Sequence, residues 1–160
     1  MDIMIKKAKK YLEKEGWDCD ASDPTYLEFR ARLVGKNIVH QCLGMLDKDI
    51  LFVASILPQV ISSEKRDLVL QLVNRFNMTF FYGGMELDME TGLLRIRNGM
   101  YLAGSAVTPE IIGDCISVTL CMADGISPLV TKVVNGECQP EEAVGEFYKQ
   151  DEDKGEVLVN

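Results

Sequence analysis

The residues of this chain that could take part in catalysis are few and far apart in the sequence. His40 is the only histidine, and no serine or cysteine motif around it would pair a nucleophile with a base. An enzyme would have to bring His40 together with distant carboxylates such as Asp47 or Glu86, and no motif joins these residues. We therefore predict that His40 is a structural residue of a sheet and that the chain has no catalytic residue.

The pattern of cysteines favours buried packing residues over reactive or metal-binding ones. Their number is odd and no two form a Cys-x-x-Cys pair: they are Cys19, Cys42, Cys115, Cys121 and Cys138. With a single histidine, a zinc site would have few ligands. Cys115 and Cys121 are six residues apart, close to two helical turns, so we expect both to pack on one apolar helix face, with redox sensing as the alternative. We predict no metal, no cofactor and no disulfide framework.

Two short motifs resemble ligand sites and are better explained by local structure. Gly83-Gly84 lies inside a predicted strand with no helix after it, so it is not a phosphate loop. We expect a bulge, a bend or a close approach of the backbone there. Asp47-Lys48-Asp49 lacks the ligand spacing of a calcium-binding EF-hand loop, and we interpret it as a solvated turn.

Composition and charge restrict the possible partners. The chain has 160 residues, 47% of them hydrophobic and 26% charged, which suits one soluble domain. Its net charge is −8, and an acidic protein repels phosphate backbones, so nucleic-acid binding is disfavoured. The amino-terminal end lacks a basic region followed by an apolar stretch, and no apolar run approaches the length of a membrane span. We predict a cytoplasmic protein that binds neither nucleic acid nor membrane.

The hydrophobic pattern predicts an α+β fold with a five-stranded antiparallel sheet. The order is helix, three strands, helix, two strands and a long helix that begins with Thr108-Pro109-Glu110. Short connections favour antiparallel neighbours with the helices packed on one face of the sheet. The strand at 50–57 is almost wholly apolar, so we expect it to be central and covered on both faces. Residues 17–24 are rich in turn formers and predict a connection. Gly125 and Pro128 predict a kink or a break in the long helix.

One set of outward-facing side chains is a candidate binding surface. The strands at 25–34, 80–88 and 94–97 alternate, which places charged and aromatic side chains opposite the core. We predict that these residues form a mixed-charge, partner-binding face of the sheet, with an ordinary solvated surface as the alternative: Glu28, Arg30, Arg32, Tyr82, Arg95 and Arg97.

Several motifs resemble, in order and spacing, the YbjN-domain family of bacterial sensory-transduction regulators. The first is Leu72-Val73-Asn74-Arg75-Phe76-Asn77 at the end of a helix; the others are Leu87-Asp88-x-Glu90-Thr91-Gly92-x-Leu94-Arg95-Ile96-Arg97, Val107-Thr108-Pro109-Glu110, and Gly136 with Pro140-Glu141-Glu142-Ala143-Val144. The resemblance covers roughly residues 1–148. It implies a fold similar to type III secretion chaperones and supplies no catalytic residue.

Together these observations predict a non-enzymatic, protein-binding or chaperone-like regulatory module. We expect it to dock another polypeptide on its sheet and to form a homodimer. The alternative is a regulatory domain that senses a small ligand in a pocket between the long helix and the sheet. Residues 1–148 are predicted as one YbjN-like α+β domain, and residues 149–160 as an acidic, flexible tail.

Overall fold

The described part of the chain combines four α-helices with an antiparallel sheet, which confirms the predicted α+β class. A computed structural model describes residues 2–153 of the chain. The helices in this part are α1 (Ile3–Lys14), α2 (Arg66–Asn77), α3 (Pro109–Val134) and α4 (Pro140–Asp153), and a single 3-10 turn (Ser63–Lys65) precedes α2. The strands are β1 (Asp18–Asp20), β2 (Leu27–Val34), β3 (Val39–Leu46), β4 (Ile50–Val60), β5 (Gly84–Leu87) and β6 (Leu93–Tyr101).

The predicted count of five strands is wrong, because a sixth strand lies in the segment that was expected to be a connection. β1 pairs antiparallel with β2 and places Cys19 opposite Phe29. The Trp17 ring packs edge-on against the Phe29 ring, with 5.5 Å between the ring centroids. Three residues are too few to show an alternating pattern, so the turn-forming residues around β1 concealed it in the sequence.

The order of the strands across the sheet is β1-β2-β3-β4-β6-β5, and every neighbouring pair is antiparallel. β2, β3 and β4 form a meander. After β4 the chain passes through α2, returns as the edge strand β5, and inserts β6 between β5 and β4. This order makes β4 central, as its apolar sequence predicted.

The helices cover one face of the sheet, which we call the inner face. α1 and the first half of α3 pack on Leu27, Phe29, Leu51 and Val53. α2, α4 and the second half of α3 enclose Leu57, Met85, Leu94 and Ile96. These strand residues share one face by the pairing register, and each has 2% or less of its surface exposed. Both halves of the core therefore lie on the same side of the sheet.

The expectation that the central strand is covered on both faces is wrong. Along β4, Leu51, Val53 and Leu57 lie in the core, whereas Phe52 and Ile56 point to the other side and are only half-buried. Neither Phe52 nor Ile56 contributes to the core packing among residues 2–153. The strand also continues past Pro58 to Val60, because a bulge between Ile56 and Val60 accommodates a residue that cannot donate to the ladder.

β5 is shorter than the predicted strand 80–88, whereas β6 is longer than the predicted strand 94–97. β5 begins only at Gly84, so Phe81 and Tyr82 precede the strand and are 98% and 62% exposed. Gly83 adopts a φ of 76°, and a Cβ there would collide with the Asn98 side chain. Of the alternatives predicted for Gly83-Gly84, a close approach therefore occurs at Gly83, which lies just before β5 and not inside a strand.

α3 is one helix of 26 residues that passes through both Gly125 and Pro128, so the predicted break does not occur. Thr108 accepts a hydrogen bond from the Ile111 N–H and Pro109 occupies the first turn, as predicted. Gly125 makes room for α4, since a Cβ there would lie 2.9 Å from the Phe147 ring. By length and composition α3 would qualify as a membrane span, which the sequence analysis missed. Core helices pass the same test, and α3 packs on β4 and β6, so this is weak evidence.

The segment that begins at Pro140 predicts only a short final turn or helix, whereas the structure has the 14-residue helix α4 there. It packs against α2 and α3, and the Phe147 ring meets the Phe76 ring edge-on at 5.5 Å. The helix continues to Asp153 and so includes the first residues of the predicted flexible tail. The rest of that tail, residues 154–160, lies outside the described residues.

The pair formed by Phe29 and Gly44 gives the first testable prediction. These residues lie opposite each other on β2 and β3, and a Cβ at Gly44 would collide with the Phe29 ring. We expect Gly44→Ala to lower the free energy of unfolding by about 1–3 kcal/mol, because the ring has to leave a filled core. Urea denaturation followed by circular dichroism measures this.

The matched control is Gly145→Ala in α4, where nothing lies within 4 Å of the added Cβ. Alanine favours a helix by up to about 1 kcal/mol over glycine, so this variant should be as stable as the parent or more so. Equal stability of the two variants would contradict the described packing of Phe29 on Gly44.

Candidate functional site

The face of the sheet opposite the helices, which we call the open face, carries an apolar stripe along its two central strands. The stripe consists of Leu43, Met45, Phe52, Ala54 and Ile56. The strand register places Met45 beside Phe52 and Leu43 beside Ala54. Within residues 2–153 no helix packs on these side chains, and all except Ala54 keep part of their surface exposed. A contiguous apolar strip on a solvated surface is typical of an interaction site.

Four arginines border the apolar stripe, two on each side and in matching rows. Arg30 and Arg97 lie in the row of Leu43 and Ala54, one at each end. Arg32 and Arg95 lie in the next row, on either side of Ile56. The three strand spacings from β2 to β6 separate the two sides by about 14 Å.

Glu86 of β5 fixes the two arginines on the β6 side. Its two carboxylate oxygens accept hydrogen bonds from Arg95 Nε and Arg97 Nε, both at 2.5 Å. Burial alone would raise the Glu86 pKa, but the bonds and charges of Arg97 and Arg95 outweigh it and hold the pKa below its usual value. The Arg95 guanidinium also lies 5.7 Å from the centroid of the Phe52 ring.

The open face brings together five of the six residues predicted to bind a partner. Glu28, Arg30 and Arg32 follow one another on β2, and Arg95 and Arg97 lie on β6. Tyr82 is exposed, but it lies in the segment before β5 and not in a strand. The apolar stripe does not follow from the sequence, because the apolar run 50–57 predicts a strand that is covered on both faces.

A hollow lies beside the apolar stripe, next to the bulge in β4. The hollow has a volume of about 580 Å³, and Leu43, Ile56, Glu86 and Arg95 are part of its lining. The pairing register of β4 and β6 shifts at the bulge, between the Ile56–Arg95 and Val60–Leu93 pairs. The open face therefore combines a shallow depression with polar groups at its rim, which suits a side chain of a partner.

His40 lies on the inner face and belongs to a buried polar network. Its Nδ1 is 3.0 Å from Ser55 Oγ of β4, and its Nε2 is 3.6 Å from Asp124 Oδ1 of α3. Its side chain is 2% exposed. Burial lowers the His40 pKa, and the Asp124 charge opposes this shift only in part. The imidazole is therefore a neutral structural group near pH 7, as predicted from its isolation in the sequence.

Asp124 fastens the β2–β3 turn to α3. Its carboxylate accepts the backbone N–H groups of Lys36, Asn37 and Ile38 at 2.9–3.1 Å. Its carbonyl oxygen accepts a hydrogen bond from Asn37 Nδ2 at 2.9 Å. Pro128 lies four residues further along and has no N–H, so it leaves this carbonyl available. The proline that predicted a helix break instead supplies an acceptor for the turn.

Ser55, His40 and Asp124 are the residue types of a hydrolase triad, but their geometry does not provide one. Ser55 has no exposed surface, so a substrate cannot reach its hydroxyl. Nor is Cys42, which pairs with Ser55 across the strands, an activated nucleophile, because burial raises its thiol pKa to about 11. The carboxylates named for an enzyme are elsewhere: Asp47 accepts the N–H groups of the turn at 47–50, and Glu86 lies on the open face.

The helical cysteines do not share a face. Cys115 is buried, which raises its thiol pKa to about 11, whereas Cys121 is exposed. The prediction failed because six residues turn a helix by about 600°, about 120° short of two full turns. In the described part of the chain, no three His, Cys, Asp or Glu side chains lie close enough together to hold a metal ion.

The region between α3 and the sheet, where the alternative ligand pocket was expected, is filled by side chains. Ile126, Leu129 and Val130 of α3 are 1% exposed or less. A second hollow of about 500 Å³ lies instead between α2 and α4, where Arg75 faces Glu141 at 3.6 Å. This hollow is open and is lined by surface residues of the two helices.

The contacts of Asp124 predict a large and local effect on stability. Asp124→Ala leaves three backbone donors without a charged acceptor, so we expect the free energy of unfolding to fall by about 2 kcal/mol or more. Asp114→Ala, at an exposed position of the same helix, is the control and should change it by less than about 0.5 kcal/mol. Equal effects of the two variants in chemical denaturation would refute the role given to Asp124.

The buried imidazole predicts a loss of stability on mild acidification. The His40 pKa is lower in the folded chain than in the unfolded one, so the unfolded state binds the proton more readily. The contribution of His40 is complete above pH of about 6.5 and decreases as the pH falls below that value. We expect the stability of the parent to fall from pH of about 7.5 to about 5.5 more than that of His40→Gln. Parallel pH profiles would show that His40 is not buried in neutral form.

The comparisons with known proteins do not identify a family for this chain. No protein-family model, curated protein or solved structure matches the chain. The resemblance to the YbjN-domain family and the chaperone-like topology therefore remain predictions from the sequence motifs. The α+β class with its antiparallel sheet is the part of that expectation that the coordinates support.

Proposed function

We propose that this chain is a non-enzymatic, chaperone-like regulatory module of the bacterial cytoplasm that binds another polypeptide on the open face of its sheet. The observation that carries the proposal is the apolar stripe, which lies in the centre of the sheet and is left uncovered by the four helices. Covering it would remove apolar surface from water, which is the main driving force of protein association.

The chemistry of the stripe supports a polypeptide partner. Leu43, Met45 and Ile56 are aliphatic or thioether side chains that adapt to the shape of another apolar surface. Charged groups stand around them, as in the rim of a protein interface. Ser55, His40 and Asp124 belong to a buried structural network, which supports a function without catalysis by these residues.

The experiment is site-specific photo-crosslinking in lysate of cells that express the chain. Benzoylphenylalanine replaces Phe52 in the stripe in one variant and Lys10, on the exposed surface of α1, in the control. We expect the Phe52 variant to capture a defined polypeptide, and mass spectrometry to find its crosslink in one segment. A product of twice the chain mass would identify a second copy, as in the predicted homodimer. Equal capture at both positions, or none, would refute the proposal.

A further inference from the structure

The arrangement of the four arginines narrows the kind of polypeptide that fits the open face. We infer that the partner segment is an amphipathic helix with acidic residues on both flanks of its apolar face. This inference rests on the proposed function and adds the conformation and the charge of the partner.

The dimensions of the site favour a helix over an extended strand. The backbones of β2 and β6, which carry the four arginines, are about 14 Å apart across the sheet, and a helix with its side chains is about 10–12 Å wide. A helix that lies along β3 and β4 would therefore place one flank beside the arginines of each of these strands. A single extended strand is only about 5 Å wide and projects its side chains up and down, so it would not reach the arginines of both strands.

The length of the apolar surface sets the length of the helix. Ile50 extends the stripe at the start of β4: like Phe52 and Ile56 it points to the open face, and it is 40% exposed and paired with Tyr101. The six residue steps from Ile50 to Ile56 span about 20 Å, which corresponds to about 13 residues of helix. Apolar side chains at helical spacing would then cover the stripe from one end to the other.

The charges that adjoin the stripe are positive in the rows of Ala54 and Ile56, although the whole chain is acidic. Arg30 and Arg32 form no ion pair among the described residues. The acidic groups of the open face lie farther out or at one end: Asp18 and Asp20 on β1, Glu86 on β5, and Glu28 in the row nearest the 47–49 turn. Carboxylates of a partner that lies on the stripe would therefore be closer to the arginines than to most acidic groups of the open face.

The arginines on the β6 side are held ready for such carboxylates. Glu86 binds Arg95 and Arg97 through their Nε atoms, and no hydrogen bond in the described chain uses their terminal Nη atoms. Two fixed guanidinium groups therefore present unused donors along one edge of the stripe. Donors that are already ordered lose less conformational freedom on binding. The same groups would bind phosphates, but the aliphatic stripe between them favours a polypeptide over a nucleic acid.

The test uses a synthetic peptide of about 14 residues with apolar side chains at helical spacing and glutamates on both flanks. A second peptide carries lysines in place of the glutamates. Fluorescence anisotropy measures the binding of each labelled peptide to the full chain, and a short labelled oligonucleotide is measured beside them. We expect the acidic peptide to bind, the basic peptide to bind at least about tenfold more weakly, and the affinity of the acidic peptide to fall with salt.

Variants of the chain locate the contact. Arg30→Gln with Arg32→Gln removes both arginines of β2 without disturbing an ion pair. We expect this variant to bind the acidic peptide about five- to tenfold more weakly than the parent chain does. Lys7→Gln with Lys10→Gln in α1 makes the same change in net charge and should leave binding within about twofold. Ile56→Ser tests the stripe independently and should also weaken binding. Circular dichroism confirms that each variant is folded.

The outcomes separate this inference from the proposed function. Equal binding of both peptides, no binding of either, equal loss in the two charge variants, or binding of the oligonucleotide alone would overturn the acidic helix. Crosslinking at Phe52 could still capture a partner segment that is basic or extended. That result would support polypeptide binding and would contradict the acidic amphipathic helix. Capture of an acidic amphipathic segment would support both.

Discussion

The alternating directions of the side chains on β4 determine how the rest of the molecule is organised. Leu51, Val53 and Leu57 point inward and belong to the core, where α3 packs on β4. Phe52 and Ile56 point outward from the same strand, and no helix of residues 2–153 covers them. Because consecutive side chains of a strand face opposite sides, one apolar run both stabilises the fold and supplies the apolar stripe.

Polar interactions fix the parts of the fold that apolar packing does not specify. Asp124 of α3 holds the β2–β3 turn through backbone N–H groups, and this contact aligns the helix with the sheet next to the buried His40. On the other side of the sheet Glu86 orients Arg95 and Arg97. Each carboxylate thus orders several hydrogen-bond donors. Asp124 stabilises the fold in this way, and Glu86 orders a surface that can recognise charge.

The sequence predicted the elements better than it predicted what they contact. Periodicity identified α1, α2, α3 and five strands, and the predicted Thr108 cap agrees with the structure. β1 was not predicted, because a strand of three residues is too short to show an alternating hydrophobic pattern. Packing across distant parts of the chain was also hidden: nothing near His40 indicated Asp124, and Pro128 was interpreted as a helix breaker. The binding face was predicted from alternation, but its apolar centre required knowledge of which face the helices cover.

The central claim is that a partner covers the open face of the sheet. Methyl NMR of the chain, recorded with and without the polypeptide captured at Phe52, tests it most directly. The account predicts that the signals of Leu43, Met45 and Ile56 shift on binding, while those of Leu51 and Val53 in the core change little. Shifts confined to Met78 and Val144, which line the hollow between α2 and α4, would contradict it.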